Sequence, residues 1–427
     1  MSQREQTAGR RLSVIVVDQA IAGASNVLIA VLAARLLDVA SFGLFGILFL
    51  VYMMVIGVSR ALVSDPLLVH PVEARERPNE AIGTGMVLGL ALGATVLVAG
   101  LIVRVWTVEL GDALMVLAVC VPMLVLQDLG RYLGFATQRP WSAVALDTCW
   151  LMLLIACVPV LVAADARTLT WFIAAWGGTG AVTGLLTFWM YRDHRVRMTL
   201  SWLRHTWTFS WRYLISYTST QSSALAASSG VGAIAGASAL GGVQGASLLV
   251  RPFATFQIAA VAAGISEISR SGVVGSPVRR MGAKTSALTT GIAALNVLVM
   301  LALPDSVGHM ILGDTWTTAQ PLLLPTGAQI LCLGMITGAR AGLLGMRAVR
   351  PAMSIDVCGT VLFVVAALGG AVIGGALGAL WAVALVQAMI MVTWWIVFGR
   401  HTRGAESGEA SAEVGQNPLQ VAGPPSA

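Results

Sequence analysis

The chain has 427 residues and a formal net charge of +6; 57% of its residues are hydrophobic and only 11% are charged. Soluble domains carry about a quarter charged residues, so this composition excludes a soluble globular protein. Long apolar runs separated by short arginine clusters, without the alternating pattern of barrel strands, leave membrane-spanning helices as the fold.

The apolar runs predict twelve transmembrane helices. The first run follows Arg4, Arg10 and Arg11 and is too long for the core of a signal peptide. The signal is weakest over 213–265, where Ser, Gly and Ala dilute it. The predicted helices cover 12–37, 42–63, 82–103, 110–127, 143–164, 169–191, 213–236, 241–265, 286–303, 322–344, 353–373 and 376–398.

The distribution of basic residues predicts the orientation. With a cytoplasmic N-terminus, Arg104 and Arg167 are the basic residues of the outer loops, and Arg35, Arg60 and Arg251 lie within helices or at their ends. All the other basic residues then fall on the inner side, as the positive-inside rule requires. We therefore expect both termini in the cytoplasm and need no nucleic acid partner to explain the basic charge.

The longest inner loop divides the predicted helices into six and six. It carries Trp202, Trp207 and Trp211 beside several arginines, a composition typical of a segment that lies along an anionic leaflet. We predict an all-α polytopic protein with two six-helix lobes around a central cavity. The predicted regions are an N-terminal lobe 1–191, a basic cytoplasmic linker 192–212, a C-terminal lobe 213–400 and a disordered cytoplasmic tail 401–427.

Glycines recur at every fourth position in three apolar stretches, which indicates close helix–helix packing. The three sets are Gly85, Gly89 and Gly93; Gly334, Gly338 and Gly342; and Gly370, Gly374 and Gly378.

We find no catalytic or nucleotide-binding motif in the sequence. There is no phosphate-binding GxxxxGK[ST] stretch and no HExxH, and the histidines fall in scattered predicted loops. We therefore expect no enzyme activity, no cofactor and no metal site.

Polar residues within predicted spans are the candidates for function, since charges inside a membrane usually face a cavity or a partner. The first helix contributes Asn26 and Arg35, the second Arg60 and the seventh a hydroxyl-rich strip. The predicted substrate cavity consists of Asn26, Arg35, Arg60, Ser216, Thr220, Gln221, Arg251 and Gln387. Asp18 and Asp147 are the candidates for ion coupling. Asp128 and Arg131, three residues apart, have the spacing of a pair that neutralises itself.

Three stretches resemble Wzx-like polysaccharide flippases of the multidrug/oligosaccharidyl-lipid/polysaccharide (MOP) exporter superfamily. They are Ala34-Arg35-Leu36-Leu37-Asp38 followed by Phe42-Gly43-Leu44-Phe45; Asp128-Leu129-Gly130-Arg131-Tyr132 with Phe135-Ala136, Arg139-Pro140, Asp147 and Trp150; and Leu312-Gly313-Asp314-Thr315-Trp316 with Ala319 and Pro321-Leu322-Leu323. The resemblance implies a V-shaped pair of lobes that moves a lipid-linked oligosaccharide or polysaccharide precursor to the outer leaflet of the cytoplasmic membrane.

Two alternatives remain open at this point. One is a cation-coupled exporter of drugs or metabolites from the same superfamily, with Asp18 or Asp147 as the coupling carboxylate. The other is a membrane scaffold of a glycan assembly complex that transports nothing. The partners we expect are the lipid-linked glycan, membrane lipid, and a glycan polymerase or glycosyltransferases.

Overall fold

The computed structural model describes residues 23, 25–137, 139–165, 167–191, 197–271, 275–346 and 348–415. Within these ranges every regular element is helical and no strand occurs, which confirms the predicted all-α class. The helices are α1 (Ser25–Leu36), α2 (Val39–Ser59), α3 (Asp65–Val69), α4 (Pro71–Glu76), α5 (Pro78–Val103), α6 (Val108–Ala136), α7 (Pro140–Ala163), α8 (Leu169–Met190), α9 (Ser201–Ala235), α10 (Ala237–Ser271), α11 (Ser276–Leu301), α12 (Asp305–Leu312), α13 (Thr315–Ala319), α14 (Leu323–Gly345) and α15 (Val349–Gly415).

Eight helical stretches in the described part of the chain are long and apolar enough to cross a membrane. The stretch over Arg350–Gly404 breaks at Gly374 and Gly375, and Gly375 adopts a positive φ of 59° that favours glycine. This break separates the two helices predicted over 353–373 and 376–398. The chain is therefore a multi-pass membrane protein.

The other predicted spans also coincide with helices. α9 and α10 each have 35 residues, enough to span a bilayer, although they are not among the eight apolar stretches. Of the predicted first helix, the structure describes residue 23 and α1.

The chain divides into two compact units. One unit is formed by Met1–Leu248 with Asp305–Ala319, and the other by Leu249–Pro304 with Gln320–Ala427. The division falls inside α10. The predicted lobes 1–191 and 213–400 came from counting helices, and their bounds stay a prediction, as does the disordered tail, of which 416–427 lie outside the described residues.

Glycines bring helix backbones together in both units, as the four-residue spacing predicted. In the first unit, α5 packs on α6 so closely that a Cβ at Gly89 would meet the backbone of Pro122. In the second unit, a Cβ at Gly338 of α14 would clash with the carbonyl of Gly282 on α11. Thr289 of α11 donates to the carbonyl of Gly334 at 2.7 Å and ties the same two helices.

A π-helical turn over Arg60–Ser64 joins α2 to α3. The N–H of Asp65 donates to the carbonyl of Arg60, five residues back, and the next residue, Pro66, has no N–H with which to restore regular α-helical bonding. π-Turns of this kind occur frequently at functional sites.

Helix α9 supports this turn through two buried side chains. Trp202 Nε1 donates to the carbonyl of Val63 at 3.2 Å, and Ser210 Oγ donates to the carbonyl of Leu62 at 3.2 Å. Trp202 is therefore buried within the protein, only 1% exposed, while the position of the linker relative to a leaflet stays a prediction.

Candidate functional site

Four charged side chains meet inside the first unit and form what we call the charge cluster: Arg60, Asp128, Arg131 and Asp147. Asp128 lies between the two arginines. It accepts from Arg60 Nε at 2.9 Å and from Arg60 Nη2 at 2.6 Å, and its Oδ1 lies 3.5 Å from Arg131 Nη1. Arg131 Nε lies 3.1 Å from Asp147 Oδ1, so the four groups form a chain of alternating charge.

Two neutral side chains extend the cluster. Gln127 Nε2 donates to Asp147 Oδ1 at 2.9 Å. The guanidinium carbon of Arg60 lies 5.4 Å from the ring centre of Tyr132, within the range of a cation–π contact. Asp147 and Asp128 are therefore each held by more than one partner.

Local helix geometry explains why these residues meet. Asp128 and Arg131 share one face of α6 because they are three residues apart. α6 ends at Ala136 and α7 begins at Pro140, so the chain reverses within a few residues. The N–H of Arg139 donates to the carbonyl of Gly134 at 2.7 Å and closes this turn. Asp147, two turns into α7, then faces Arg131.

The cluster lies within the membrane-spanning helices rather than in a loop. Asp128 is eight residues from the end of α6, a distance of about 12 Å at 1.5 Å per residue. Asp128, Arg131 and Asp147 have side chains that are 4%, 9% and 6% exposed. Two acids and two bases make the cluster formally neutral, which offsets part of the cost of burying its charges.

Arg60 differs from the other three members because its side chain is 35% exposed. A charge open to hydrocarbon at this depth costs about 2.5–3.5 kcal/mol on insertion scales. A guanidinium that keeps one third of its surface accessible at this depth is compatible with a water-filled cavity. The geometry therefore provides a cation that is anchored on one side and accessible on the other.

The second unit contains a counterpart of this arrangement, which the sequence reasoning missed. Arg340 of α14 donates through Nη2 to Asp356 Oδ2 of α15 at 2.9 Å, across the same sequence separation of 16 residues that divides Arg131 from Asp147. The turn between α14 and α15 is closed by the N–H of Ala348, which donates to the carbonyl of Leu343 at 2.9 Å. Every one of these positions lies 209 residues after its counterpart in the first unit.

Of the predicted site residues, Arg60 and Asp147 come together in the charge cluster. Arg35 lies elsewhere in the first unit, exposed at the end of α1, where Nη1 donates to the carbonyl of Met310 at 2.7 Å. Asn26 in α1 and Gln221 in α9 are half-buried.

The remaining predicted residues divide into two groups. Arg251 and Gln387 are half-buried in α10 and α15 of the second unit. Ser216 and Thr220 lie in α9, but their side chains are outside the described part of the structure, and Asp18 lies outside the described residues altogether.

The sequence reasoning missed the central role of Asp128, Arg131 and Gln127. It treated Asp128 and Arg131 as a pair near a helix end, although the structure connects that pair to Arg60 on one side and Asp147 on the other. The available signal was the recurrence of an arginine and an aspartate 16 residues apart, at Arg131 and Asp147 and again at Arg340 and Asp356. Among the described residues, no group of three or more His, Cys, Asp or Glu side chains could hold a metal ion.

Known proteins resemble this chain in fold but not detectably in sequence. No protein-family model matches the sequence, and no curated protein matches it significantly. The structure is similar to an inward-facing multidrug resistance MATE family transporter of the MOP superfamily, with a TM-score of 0.68, 14% identity, and coverage of 90% of this chain and 95% of that one.

Two further solved structures agree. The lipid II flippase MurJ in an inward closed conformation matches with a TM-score of 0.69 and 10% identity, over 90% of this chain and 86% of that one. A MOP superfamily transporter from Pyrococcus furiosus matches with a TM-score of 0.57 and 15% identity, over 93% and 95% of the two chains. The chain therefore has the polytopic helical fold of the MOP superfamily transporters.

Proposed function

We propose that the protein is a membrane transporter that works by alternating access and that its substrate is a lipid-linked oligosaccharide or polysaccharide precursor. The observation that carries this proposal is Arg60, a partly exposed guanidinium at membrane depth that is anchored to the buried carboxylate of Asp128. The fold shared with MOP superfamily transporters supports the transport function.

The chemistry of Arg60 suits an anionic head group. Asp128 engages Nε and Nη2, so the guanidinium is held in one orientation while its accessible part can meet an oxygen of a phosphate. Fixed donors of this kind replace the water that the head group loses in the membrane. The match to a lipid II flippase supports the same substrate class.

A second candidate is a cation-coupled exporter, and the burial of Asp147 favours it. Asp147 contacts Arg131 and Gln127 in a nearly inaccessible site. A proton or sodium ion that replaced Arg131 as the partner of this carboxylate would change the attraction between α6 and α7. Binding of such an ion can shift the equilibrium between two conformations of the protein by as much as the ion's affinity differs between them. The match to a MATE transporter supports this candidate.

Reconstituted transport separates the two candidates. We would measure flipping of a fluorescent undecaprenyl-diphosphate oligosaccharide and export of a cationic dye in the same proteoliposomes, with and without a pH gradient. The flippase proposal predicts that the lipid is flipped and that Arg60→Gln lowers the rate at least tenfold. Dye export without lipid flipping, driven by the gradient and lost in Asp147→Asn, would instead establish the exporter.

The matched control is Arg104→Gln. Arg104 caps the end of α5, has a side chain that is 52% exposed and pairs with Asp112 at 2.8 Å. Arg104→Gln lowers the net charge of the protein by as much as Arg60→Gln does, but it leaves the charge cluster intact. Equal losses in Arg60→Gln and Arg104→Gln would contradict a specific role for Arg60.

A further inference from the structure

The π-turn between α2 and α3 leaves two backbone carbonyls without their regular helical donors. In an α-helix each N–H donates to the carbonyl four residues back, so Asp65 would serve the carbonyl of Ala61. The N–H of Asp65 donates instead to the carbonyl of Arg60. Pro66 would serve the carbonyl of Leu62, but proline has no N–H. Ala61 and Leu62 are both buried, and buried carbonyls that lose a helical donor usually find another partner.

The side chains of the π-turn do not supply the missing donors. The turn has two polar side chains, Arg60 and Ser64. The guanidinium of Arg60 donates to Asp128. The hydroxyl of Ser64 is completely buried and has no hydrogen-bond partner in the part of the chain that the structure describes. Support for the carbonyls therefore has to come from a neighbouring helix.

Helix α9 reaches these carbonyls through a buried stripe of Trp202, Thr206 and Ser210. The three residues are four positions apart and share one helix face, and none is more than 1% exposed. Ser210 Oγ lies 3.2 Å from the carbonyl of Leu62, which lacks its regular donor. Trp202 Nε1 donates to the next carbonyl, that of Val63, at 3.2 Å. Buried polar side chains are costly unless they are hydrogen-bonded, so the stripe and the turn satisfy each other.

The two contacts from α9 differ in how firmly they hold the turn. Ser210 has one hydroxyl proton and a second acceptor, because the carbonyl of Thr206 in its own helix lies 3.1 Å away. Ser210 can therefore release the turn without losing a hydrogen bond. Trp202 packs in the same buried hydrophobic cluster as Leu62 and Val63, which fixes its ring. Both donors have to be removed to free the turn.

The start of α9 is itself fixed within the first unit. Thr84 Oγ1 of α5 donates to the carbonyl of Thr199 at 2.9 Å, two residues before α9 begins. His205 Nε2 of α9 lies 3.1 Å from Glu73 Oε2 of α4. The stripe on α9 can therefore act as a fixed support for the π-turn.

Arg60 is the first residue of the π-turn, so the geometry of the turn sets the direction in which its side chain leaves the helix. Asp128 accepts from Nε and Nη2 of Arg60 at 2.9 and 2.6 Å, and a paired contact of this kind demands a defined orientation of the guanidinium. A turn whose carbonyls lost their partners would adopt other geometries, and each would move the guanidinium relative to Asp128.

We propose that Trp202 and Ser210 are positioning residues for Arg60. They hold the carbonyls of the π-turn, and the turn holds the guanidinium against Asp128, so that its accessible part stays directed towards the anionic head group. The importance of this arrangement for transport rests on the proposed function, whereas the positioning of Arg60 itself does not.

Labelling of arginines with phenylglyoxal, read residue by residue by peptide mass spectrometry, measures the positioning without transport. The variant Trp202→Phe/Ser210→Ala, which we call the α9 variant, removes both donors and keeps an aromatic ring and a small side chain. We expect Arg60 to be labelled about threefold faster or more in this variant, because two hydrogen bonds that keep it on Asp128 are lost. Labelling of Arg104 should not change. An unchanged labelling rate at Arg60 would overturn the proposal.

Lipid flipping tests whether the two residues act through Arg60. We expect the α9 variant to flip the fluorescent undecaprenyl-diphosphate oligosaccharide about fivefold more slowly than wild type. In the background of Arg60→Gln, the same two substitutions should change the rate less than about twofold, because residues that act through one group are not additive. Equal loss in both backgrounds would overturn the positioning through Arg60. If wild type flips no lipid, the proposed function fails and the labelling result alone decides the positioning.

The matched control is Trp395→Phe/Ser286→Ala in the second unit. Trp395 Nε1 and Ser286 Oγ donate to the carbonyl of Met335 at 3.0 and 2.7 Å, so this control also removes an indole N–H and a hydroxyl from a backbone carbonyl. Labelling of Arg60 and the flipping rate should stay within about twofold of wild type, and changes as large as those of the α9 variant would contradict a specific effect. Thermal midpoints check folding, and Trp202→Phe alone replaces the α9 variant in both assays if that variant does not fold.

Discussion

The hairpin of α6 and α7 and the hairpin of α14 and α15 contain the same arginine–aspartate pair in different surroundings. In the first, the side chains of Arg131 and Asp147 are 9% and 6% exposed. In the second, the side chains of Arg340 and Asp356 are 44% and 45% exposed. The sequence separation and the hydrogen bond that closes the turn are shared, so the difference comes from what surrounds each pair.

The surroundings indicate different roles. The buried pair belongs to a four-charge chain that continues from Arg131 through Asp128 to Arg60. Arg340, in contrast, has Asp356 and the ring of Trp394, 6.0 Å away, as its neighbours. A buried ion pair is weak evidence for stability because desolvation offsets its attraction. We infer that the first hairpin retains buried charges because transport uses them, while the second hairpin uses its pair to hold two helices together.

The largest effect should come from Asp128→Ala. This change leaves the guanidinium of Arg60 without its anchor and removes one of the two carboxylates beside Arg131. Removing one partner of a buried pair costs about 3–5 kcal/mol, so we expect the apparent thermal midpoint of the purified protein to fall markedly. The double variant Arg60→Gln/Asp128→Asn should be less destabilised than Asp128→Ala. A midpoint in Asp128→Ala equal to wild type would contradict the network.

Comparing Asp147→Ala with Asp356→Ala tests the difference between the hairpins directly. We expect a loss of about 3 kcal/mol or more for Asp147→Ala, because Arg131 stays buried. For Asp356→Ala we expect a smaller loss, because the side chains of Arg340 and Asp356 are 44% and 45% exposed and Arg340 is not left buried. Thermal unfolding of both variants in the same detergent measures the difference, and equal losses would remove the distinction on which the comparison depends.

A packing substitution in the second unit should have an intermediate effect. Gly338→Ala places a Cβ against the carbonyl of Gly282 and the hydroxyl of Ser286, and overpacking of this kind costs about 1–3 kcal/mol. Gly291→Ala, in α11, is the control because no atom lies within 4 Å of its Cβ position. We expect this control to be neutral or slightly stabilising in the same unfolding assay, and a Gly338→Ala variant as stable as wild type would contradict the close approach of α11 and α14.

The smallest effect should come from the cap of α2, outside the membrane-spanning segments. Partial burial raises the pKa of Asp38, but hydrogen bonds from Ser41 and Ala40 outweigh it and hold this pKa below its ordinary value. A carboxyl with a lowered pKa stabilises the fold above the unfolded pKa and loses this contribution as the pH falls through the folded pKa. Asp38→Ala should therefore cost about 1 kcal/mol at pH 7.

The pH dependence provides the check on the cap. The difference in thermal midpoint between Asp38→Ala and wild type should shrink as the pH falls below the ordinary carboxyl range, because Asp38 is then protonated in the wild type as well. A difference that stayed constant down to about pH 3, below the ordinary carboxyl pKa, would show that packing, rather than the ionised cap, is responsible.

The sequence predicted the helices because each apolar run is long and the arginine clusters mark its ends. It also predicted the break at Gly374 and Gly375 and the packing role of two of the three glycine sets. In the third set the prediction is wrong for Gly374, which lies at the break and has no atom within 4 Å of its Cβ position. Both features depend on local composition, which a single chain displays directly.

The charge cluster could be predicted only in part. Arg60 and Asp147 stood out as charges within spans, but their connection through Asp128 and Arg131 depends on how three helices approach one another. The burial of Trp202 was missed for a similar reason, since the π-turn that it supports arises from tertiary contacts as well as from Pro66. The recurrence of an arginine and an aspartate at one separation in two hairpins was the unused signal.

Lipid flipping by the double variant Arg60→Gln/Asp128→Asn separates a role of the charge cluster in transport from a role in folding. This double variant removes one cation and one anion together, so the cluster stays neutral and the protein should remain folded, as its thermal midpoint would verify. We expect the folded variant to flip the fluorescent undecaprenyl-diphosphate oligosaccharide at least tenfold more slowly than wild type. A folded variant with the wild-type flipping rate would contradict the claim that the charge cluster serves transport.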